Sequence, residues 1–360
     1  MIVKSLELKN FRNYERLSID FDPSTNIIYG DNAQGKTNIL EAICVSGTSR
    51  SHRGSRDKDM IRFGEQEAHI RTIVEKNSSE YRIDIHLKNN HSKGIAINKV
   101  PIKKSSDLFG ILNIIFFSPE DLAIIKNGPD KRRRFIDMEL CQIDRVYLYN
   151  LTEYSKTLNQ RNKLLKDIVF NKKLLDTLPV WDDKLAEYGS KIIKRREKFV
   201  ETIAPLVSEL HRQISNDREE VELFYEKNVS AEGMREALDF SYDNDIRLGS
   251  TTKGPHRDDL RFDLGGVDLR KFGSQGQQRT AALSLKLSEV TMMEKETGEK
   301  PVLLLDDVLS ELDSNRQKDL LKSLSDTQTL ITCTGLDDFV KNQYQVNKVF
   351  EVKNGVIING

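Results

Sequence analysis

The amino-acid sequence predicts an α/β fold that contains an antiparallel β-meander, with an α-helical domain inserted into it. Three observations carry this prediction. Residues 30–37 match G-x-x-x-x-G-K-[ST] and lie between an apolar strand and a helix. Apolar and polar residues alternate strictly over residues 81–88, as in a half-buried strand. From Pro129 to about His211 the apolar residues instead recur at helical spacing.

The composition is that of a globular protein without a global charge. The chain has 360 residues, of which 38% are hydrophobic and 31% are charged, and its 56 basic residues balance its 56 acidic residues. A chain of this length is expected to divide into two domains. Because the net charge is zero, any surface for nucleic acid has to be a local patch.

The sequence predicts a cytoplasmic protein without membrane contact. The three cysteines, Cys44, Cys141 and Cys333, lie far apart and form no CxxC pair, which argues against a zinc site or a disulfide framework. The first ten residues are too short and too polar for a signal peptide. No apolar run approaches the roughly 18 residues that are needed to cross a bilayer.

The first thirty residues predict three strands that lead into a phosphate-binding loop. The glycines of this loop let the backbone curl so that its N–H groups point at phosphate oxygens. The helix that begins at Lys36 turns its positive N-terminal end toward the same phosphates. Lys36 is expected to reach the β- and γ-phosphates, and Thr37 to offer its hydroxyl to Mg²⁺. The expected nucleotide-binding residues here are Gly30, Asp31, Asn32, Ala33, Gln34, Gly35, Lys36, Thr37 and Asn38.

The middle of the chain combines strands with a helical insertion. Residues 46–64 are polar, rich in arginine and punctuated by glycine, so a loop is expected. Residues 67–102 predict a β-meander, and the apolar run Ile111–Phe117 predicts a buried strand. Residues 129–211 should form two long helices joined near residues 171–179, with their apolar stripes facing a core.

The C-terminal part supplies two carboxylates for the same site. The apolar strand Val302–Leu305 ends in Asp306 and Asp307, and ligands of α/β sheets bind at this edge. Asp306 is placed to hold Mg²⁺ opposite Thr37, and Asp307 to orient or deprotonate the attacking water. Lys36, Asp306 and Asp307 are therefore the expected catalytic residues, and Thr37 and Asp306 the expected metal ligands.

A short polar segment at the start of a later helix forms a third element. Ser274, Gly276 and Gln277 precede a helix that is expected from about Thr280. A serine hydroxyl, a glycine N–H and a helix N-terminus together make an anion receptor. An ordinary N-capped helix is the alternative for this segment taken alone.

Contact with DNA is predicted from local charge. Basic clusters lie at Lys131–Arg134, at Lys191–Lys198 and among the arginines of residues 50–62. Aromatic residues do not alternate with these clusters as they do where exposed bases stack, so contact with the backbone of a duplex is favoured. For each cluster, a solvated face is the alternative.

The segment Gly254–Asp259 contains His256, which is a candidate metal ligand. His256 lacks a second ligand at a suitable spacing, so a structural or interface role is expected. Arg257 stands beside Asp258 and Asp259 and is expected to pair with them. The segment is therefore predicted to contribute to structure rather than to metal binding.

The order of these motifs resembles the heads of ATP-binding-cassette-type (ABC-type) ATPases. Within that group, the chain resembles the RecF family of bacterial recombination mediators over its full length. The implied fold is an ABC-type ATPase head, a P-loop NTPase with an antiparallel β-meander, built from residues 1–110 and 215–360. Residues 111–214 would form an inserted α-helical lid domain. The segments that support the resemblance are Leu8–Tyr14, Gly30–Asn38, Phe117–Leu122, Gly254–Asp259 and Leu304–Asp313.

The resemblance implies an ATP site that is completed by a second copy of the chain. In such heads the segment with Ser274, Gly276 and Gln277 touches the γ-phosphate of the ATP held by the partner. ATP would thus close a head-to-head homodimer around two sandwiched nucleotides. Further residues implied by the resemblance are Arg12 at the nucleotide, and Ser310 and Asp313 near the dimer interface.

Two departures from the pattern of related heads bear on hydrolysis. Position 307 is Asp where the transport ATPases carry Glu, and the shorter reach predicts slow hydrolysis. The strand end at Thr332–Thr334 has no histidine, although many relatives have one there. A γ-phosphate sensor is therefore not assigned to this strand end.

The implied function is ATP-dependent DNA binding in recombinational repair and replication restart, with a link to DNA damage and the SOS response. The dimer would close on duplex DNA near single-strand gaps and help to load RecA together with RecO and RecR. A weak, DNA-stimulated ATPase activity that uses ATP and Mg²⁺ would reset it. Two alternatives are open: a transport ATPase subunit, against which the meander and Gly254–Asp259 argue, and a non-hydrolysing DNA clamp, against which Asp306 and Asp307 argue.

Overall fold

The structure, a computed structural model, describes residues 1–308, 326–335 and 347–359. Ser310 and Asp313, which the resemblance places near the dimer interface, lie outside these ranges. The strands are β1 Ile2–Phe11, β2 Tyr14–Asp20, β3 Thr25–Tyr29, β4 Glu67–Lys76, β5 Ser79–Lys88, β6 Gly94–Ile97, β7 Val100–Pro101, β8 Ile114–Phe117, β9 Val221–Glu226, β10 Asp259–Leu264, β11 Val267–Asp268, β12 Val302–Asp306, β13 Thr329–Cys333, β14 Lys348–Lys353 and β15 Val356–Asn359. The α-helices are α1 Lys36–Thr48, α2 Leu122–Lys126, α3 Pro129–Ile143, α4 Arg145–Ile168, α5 Leu178–Ser215, α6 Met234–Phe240, α7 Tyr242–Leu248, α8 Leu269–Phe272 and α9 Gln275–Thr297.

The described chain divides into two units. The first unit comprises Met1–Asp121 and Glu289–Gly360, and the second comprises Leu122–Ser288. These limits differ from the predicted boundaries at residues 110 and 215. The reason at the first boundary is that β8 pairs in parallel with β12 and so belongs to the first unit. At the second boundary, β9 pairs with β10, and this sheet lies within the second unit.

One sheet of the first unit contains the antiparallel meander predicted at residues 67–102, as β4–β7, and is extended by β1 and β2. Its strands follow the order β2-β1-β4-β5-β6-β7. Alternate residues such as Ile70 and Val74 on β4 and Ile83 and Ile85 on β5 are buried. The residues that alternate with the buried ones are partly exposed and mostly polar, with Ile73 as an exception, because successive side chains of a strand point to opposite faces. The strict alternation in the sequence thus gives the sheet one apolar face and one solvent face.

The other sheet of the first unit places the candidate site. Its order is β15-β14-β3-β13-β12-β8, and all neighbouring pairs are parallel except β14 and β15. Ile331 on β13 pairs with Ile27 on one side and with Leu305 on the other. The carboxyl ends of β3, β13 and β12 therefore meet at one edge. The strands predicted at residues 27–28 and 302–305 are confirmed, and the strand predicted at residues 111–117 is shorter and begins at Ile114.

Helix α1 packs against both sheets of the first unit. It follows the phosphate-binding loop, and its residues Ile39, Leu40 and Ile43 are fully buried. They join residues of the meander and of the parallel sheet in one hydrophobic core. A helix between two sheets buries most of its circumference, and the apolar run Ala42–Val45 of α1 meets this requirement.

In the second unit, residues 129–211 were predicted to form two long helices but form three, because Asp144 has an extended conformation that ends α3 and begins α4. The two longest, α4 and α5, pack against each other. A short 3₁₀ helix, Lys172–Thr177, joins them where the connection was predicted. The Asp144 side chain caps α4 by accepting a hydrogen bond from the Tyr147 N–H. The unit also contains a three-stranded sheet, β11-β10-β9. None of the helices in the described ranges combines the length and apolar character needed to span a bilayer.

Candidate nucleotide-binding site

The phosphate-binding loop is shaped by two glycines that no other residue could replace without strain. Gly30 has a φ of +148°, and a Cβ at this position would lie 2.3 Å from the Val352 carbonyl oxygen. Gly35 has a φ of +113°, and its Cβ would lie 2.5 Å from the Asn13 side-chain nitrogen. A backbone with positive φ and such close neighbours requires glycine. The motif glycines therefore let β14 and Asn13 approach the loop.

Lys36 is held inside this loop. Its Nζ donates hydrogen bonds to the carbonyl oxygens of Gly30 at 2.6 Å and Asp31 at 2.8 Å. The side chain is buried, with an exposed fraction of only 7%. A buried ammonium group at the N-terminus of α1 makes the loop interior electropositive. The arrangement suits a phosphate, which can take over the role of the carbonyl oxygens.

Thr37 and Asp306 meet at the edge of the parallel sheet. The Thr37 hydroxyl donates to Asp306 Oδ1 at 2.7 Å, although the two residues are 269 positions apart. Mg²⁺ prefers oxygen ligands in an octahedron with bonds of about 2.0–2.1 Å, so that neighbouring ligands are roughly 2.9 Å apart. The observed spacing is close to that value, and Asp306 is 8% exposed. The two residues therefore fit a Mg²⁺ ion.

Thr332, at the end of β13, completes this cluster and was missed by the sequence analysis. Its hydroxyl donates to Asp306 Oδ1 at 2.7 Å. The Asp307 N–H lies 3.0 Å from the same hydroxyl oxygen and 3.2 Å from the Thr332 carbonyl oxygen. Asp307 has a φ of +54°, which an aspartate tolerates better than most residues. The signal that points to Thr332 is a polar residue at the carboxyl end of a central parallel strand.

Arg12 lies beside the loop and is paired with the buried carboxylate of Glu41 on α1. Its Nε donates to Glu41 Oε2 at 2.7 Å and its Nη2 to Oε1 at 2.6 Å. Ser51 also donates to Oε1, at 2.6 Å. Burial opposes ionisation of Glu41, but these hydrogen bonds outweigh it, so the pKa of Glu41 lies below its usual value. Contact between Arg12 and a nucleotide stays a prediction.

An open groove of about 790 Å³ lies beside the loop. Phe63 at its rim is fully exposed. The groove reaches Asn38, the residue that follows the phosphate-binding motif. A groove of this size, next to a phosphate-binding loop, has the dimensions of a small-molecule site. Its lining includes Arg12, Asn13, Asn38, Arg53, Ile61 and Phe63.

The Ser274 segment lies in the second unit and forms the N-terminus of α9. The Gln277 N–H donates to Ser274 Oγ at 3.2 Å, and the Ser274 N–H donates to Gln277 Oε1 at 2.8 Å. This reciprocal pattern is a capping box. The Gln277 amide nitrogen also donates to Glu219 Oε1 at 2.8 Å. Ser274 and Gly276 are exposed, so a ligand or a second protein can reach them.

Two of the three predicted basic clusters each contain a buried arginine that forms an internal ion pair. In Lys131–Arg134, Arg132 is buried and binds Asp259 through both oxygens. In Lys191–Lys198, Arg196 is buried and donates to Asp258 Oδ2 at 3.1 Å. Other members of the second cluster pair with acidic neighbours: Lys191 with Glu187, Lys194 with Glu232 and Arg195 with Asp144.

The third cluster, in residues 50–62, keeps several cations at the surface. Arg50, Arg53, Arg56 and Lys58 are all exposed. This loop belongs to the first unit and carries part of the groove beside the phosphate-binding loop. Its exposed cations are accessible to a phosphate backbone.

The Gly254–Asp259 segment organises the second unit, as predicted for His256, but its charge pairing differs from the prediction. Arg257 is exposed and donates to the Thr251 carbonyl oxygen at 3.3 Å rather than to its neighbours. Asp258 pairs with Arg196 and Asp259 with Arg132. The predicted pairing of Arg257 is wrong because both carboxylates point to buried arginines on α5 and α3.

His256 should make the stability of the protein depend on pH. Its Nε2 faces the Thr251 carbonyl oxygen at 3.0 Å and therefore donates, so Nδ1 accepts from the Tyr154 hydroxyl at 2.7 Å. Burial lowers the pKa of His256 to about 4. Protonation then favours the unfolded chain between about pH 6.5 and 4, and stability falls as the pH falls. We expect a loss of about 2 kcal/mol from this residue between pH 7.5 and 5.

The measurement is the urea midpoint at the two pH values for the wild type and for His256→Gln. The variant is expected to lose less stability than the wild type on acidification, whatever its stability at pH 7.5. His91→Gln, a substitution of an exposed histidine in a turn, serves as the control. Equal acid sensitivity of the wild type and His256→Gln would contradict the assignment.

Comparison with known proteins places the chain in a family. Residues 2–358 match the family model of the RecF/RecN/SMC N-terminal domain. The DNA replication and repair protein RecF of Agathobacter rectalis is 63% identical over 357 residues, which are 99% of each chain. The protein of the same name from Clostridium botulinum strain 657 is 44% identical over 363 residues, again 99% of each chain.

Solved structures agree with this result. The recombination mediator protein RecF with ATP, from the RecFOR pathway, is 40% identical and superposes with a TM-score of 0.93 over 100% of this chain and 97% of that chain. The Smc head domain of Pyrococcus furiosus, at 18% identity and a TM-score of 0.58, shares the fold over 99% of this chain and 95% of that one. The structure thus has the fold of an ABC-type ATPase head. The chain belongs to the RecF family of DNA replication and repair proteins.

Proposed function

We propose that this chain is an ATP-dependent DNA-binding protein of recombinational repair and replication restart. ATP closes a homodimer on duplex DNA near single-strand gaps, and slow, DNA-stimulated hydrolysis reopens it. The observation that carries the proposal is the contact between Thr37 and Asp306 directly behind a complete phosphate-binding loop. In a chain of the RecF family, this pair supports the use of ATP to control binding to DNA.

Different residues of the site are proposed to bind ATP and to promote its hydrolysis. Lys36 exchanges its two loop carbonyl partners for phosphate oxygens, and the N-terminus of α1 adds its positive potential. Bound to Thr37 and Asp306, Mg²⁺ would neutralise phosphate charge. Asp307, next in the chain, orients the attacking water and accepts its proton. The groove with Phe63 receives the remainder of the nucleotide.

The dimer requires contacts that exist only when two chains meet around ATP. Ser274, Gly276 and Gln277 are proposed to bind the γ-phosphate held by the other chain. Their support is the exposed capping box at the start of α9, in which Glu219 holds the Gln277 side chain. ATP can shift the equilibrium toward the dimer only through such differential contacts. Loss of the γ-phosphate removes them and reopens the dimer.

We further propose that the loop with Arg53, Arg56 and Lys58 contacts the backbone of duplex DNA. The support is the exposure of these cations, in contrast to Arg132 and Arg196 of the other clusters, which are buried and paired. Such binding depends on salt because counterions are released. The chain would work in the cytoplasm with RecO and RecR in loading RecA, and this step rests on its family and on the RecFOR pathway of the solved RecF.

Asp307→Asn should separate binding from hydrolysis. The amide cannot accept a proton from water, and general bases contribute roughly 10²–10⁴-fold to rate. We expect release of phosphate in the presence of DNA to fall at least about 100-fold, while ATP-dependent DNA binding persists and dissociation slows. The measurements are phosphate release and a gel shift with gapped duplex. Asp326→Asn, a change at an exposed position, is the matched control.

The same experiment separates the alternatives. A non-hydrolysing clamp would show no DNA-stimulated release in the wild type and no effect of Asp307→Asn. A transport ATPase subunit would hydrolyse ATP without retarding gapped duplex. Either result would overturn the proposed function.

A further inference from the structure

The solvent face of the meander carries a cluster of two histidines and a glutamate. Glu67 and His69 are two residues apart on β4, so their side chains leave the same face of the sheet. His86 lies directly opposite His69 on β5. The opposite face of these strands is the apolar core, which contains Ala68 and Leu87. The pairing register thus gathers three side chains that lie up to nineteen positions apart in the sequence.

The side-chain atoms of this cluster converge. His86 Nε2 lies 3.0 Å from Glu67 Oε2, and His69 Nε2 lies 3.7 Å from Glu67 Oε1. The two imidazole rings stack with centroids 4.0 Å apart and an angle of 19° between their planes. One ligand atom from each residue lies within 4.8 Å of the other two. All three side chains are partly exposed, at 45% for Glu67, 43% for His69 and 32% for His86.

We propose that Glu67, His69 and His86 bind one divalent transition-metal ion of the Zn²⁺ class. Two imidazole nitrogens and one carboxylate oxygen are a donor set of such ions, whereas Mg²⁺ prefers oxygen ligands alone. Tetrahedral ligands with bonds of about 2.0–2.1 Å are roughly 3.4 Å apart. The separation of 3.0 Å between His86 Nε2 and Glu67 Oε2 lies near this value, and one ligand atom from each of the three residues lies within 4.8 Å of the other two. Small side-chain rotations therefore suffice, and the fourth position faces solvent.

The alternative interpretation, a hydrogen-bonded pair of His86 and Glu67 without a metal ion, does not explain the position of His69. Such a pair needs only His86 and Glu67, whereas His69 also directs its Nε2 to the same carboxylate. The ion would link β4 to β5 through side chains, in addition to their backbone ladder. Because the arrangement exists only in the folded sheet, the ion binds the native state and stabilises it. This site is separate from the proposed ATP site and does not depend on it.

The test is titration of the full-length chain, freed of any histidine tag, with Zn²⁺ in competition with a chromophoric chelator. Nucleotide and Mg²⁺ are omitted. We expect one equivalent of Zn²⁺ to bind. Loss of a residue that only hydrogen-bonds to a metal ligand typically weakens metal binding by roughly 10–100-fold. His69→Ala and His86→Ala remove a ligand itself, so each should weaken Zn²⁺ binding by at least this factor. Control variants are His91→Ala, at an exposed turn, and Cys333→Ser, at a partly exposed thiol.

A second readout keeps the result independent of folding defects. One equivalent of Zn²⁺ should raise the unfolding temperature of the wild type and of His91→Ala, but not that of His69→Ala or His86→Ala. Thermal unfolding without metal establishes that each variant is folded. The proposal is overturned if the affinity of the wild type for Zn²⁺ is no higher than that of the double variant His69→Ala/His86→Ala. It is also overturned if only His91→Ala or Cys333→Ser loses binding.

Discussion

Replacing Lys36 by methionine should abolish the response of DNA binding to ATP. The ammonium group is buried in the phosphate-binding loop, where it is held by two carbonyl oxygens. Methionine preserves the apolar stem and removes the charge that pairs with the β- and γ-phosphates. Removing one preorganised charge contact of this kind typically costs about 10²–10³-fold in rate. We expect losses of this size in ATP hydrolysis, together with loss of the ATP-dependent dimer.

The measurement is the affinity for gapped duplex DNA over a range of ATP concentrations, for the wild type and Lys36→Met. The wild type should bind more tightly as ATP rises, and the variant should stay at its nucleotide-free affinity. Lys103→Met, which removes an exposed lysine, should behave like the wild type. If Lys36→Met gained affinity with ATP as the wild type does, nucleotide would not control the DNA site.

Ser274→Arg should produce a chain that binds ATP but does not dimerise. The substitution removes the cap of α9, which is worth about 1 kcal/mol, and places a bulky side chain where the partner's γ-phosphate should lie. The phosphate-binding loop is untouched, so each monomer should bind a fluorescent ATP analogue with the affinity of the wild type. Light scattering at micromolar protein should show the mass of one chain with and without ATP. Ser155→Arg, at an exposed serine on α4, is the control.

A mixture of the two defective variants sharpens this test. In a mixed dimer, the loop of the Ser274→Arg chain faces the intact Ser274 segment of the Lys36→Met chain. One of the two composite sites is therefore complete, and the mixture should hydrolyse ATP faster than either variant alone. Normal dimerisation of Ser274→Arg would refute a role for this segment at the interface.

The sequence predicted those parts of the site that depend on neighbouring residues in the chain. The loop at Gly30–Thr37 has its chemistry within eight positions, and the strand before Asp306 is a continuous apolar run. Parallel pairing then brings such strand ends to one edge whatever the length of the insertion between them. For that reason the proximity of Thr37 and Asp306 could be predicted although 269 positions separate them.

The predictions from sequence were wrong where residues that are distant in the chain determine the environment of a side chain. Arg132 and Arg196 lie in basic runs that are typical of solvated surfaces, yet both are buried. Their partners, Asp259 and Asp258, lie 127 and 62 positions away and are not visible in a local window. Likewise, the boundary predicted at residue 110 assigned the strand of residues 111–117 to the helical insertion, whereas the pairing of β8 with β12 assigns that strand to the first unit.

The central claim is that each ATP is bound by the loop of one chain and the Ser274 segment of another. The most direct test is thiol cross-linking in a chain whose three cysteines are replaced, with Ser274→Cys in one sample and Asn32→Cys in a second. When the two are mixed, a bifunctional reagent should join two chains only in the presence of ATP. A third sample carries both Ser274→Cys and Asn32→Cys in one chain. The account would be contradicted if the reagent linked the two thiols within this single chain while the mixture of the single variants gave no linked pair.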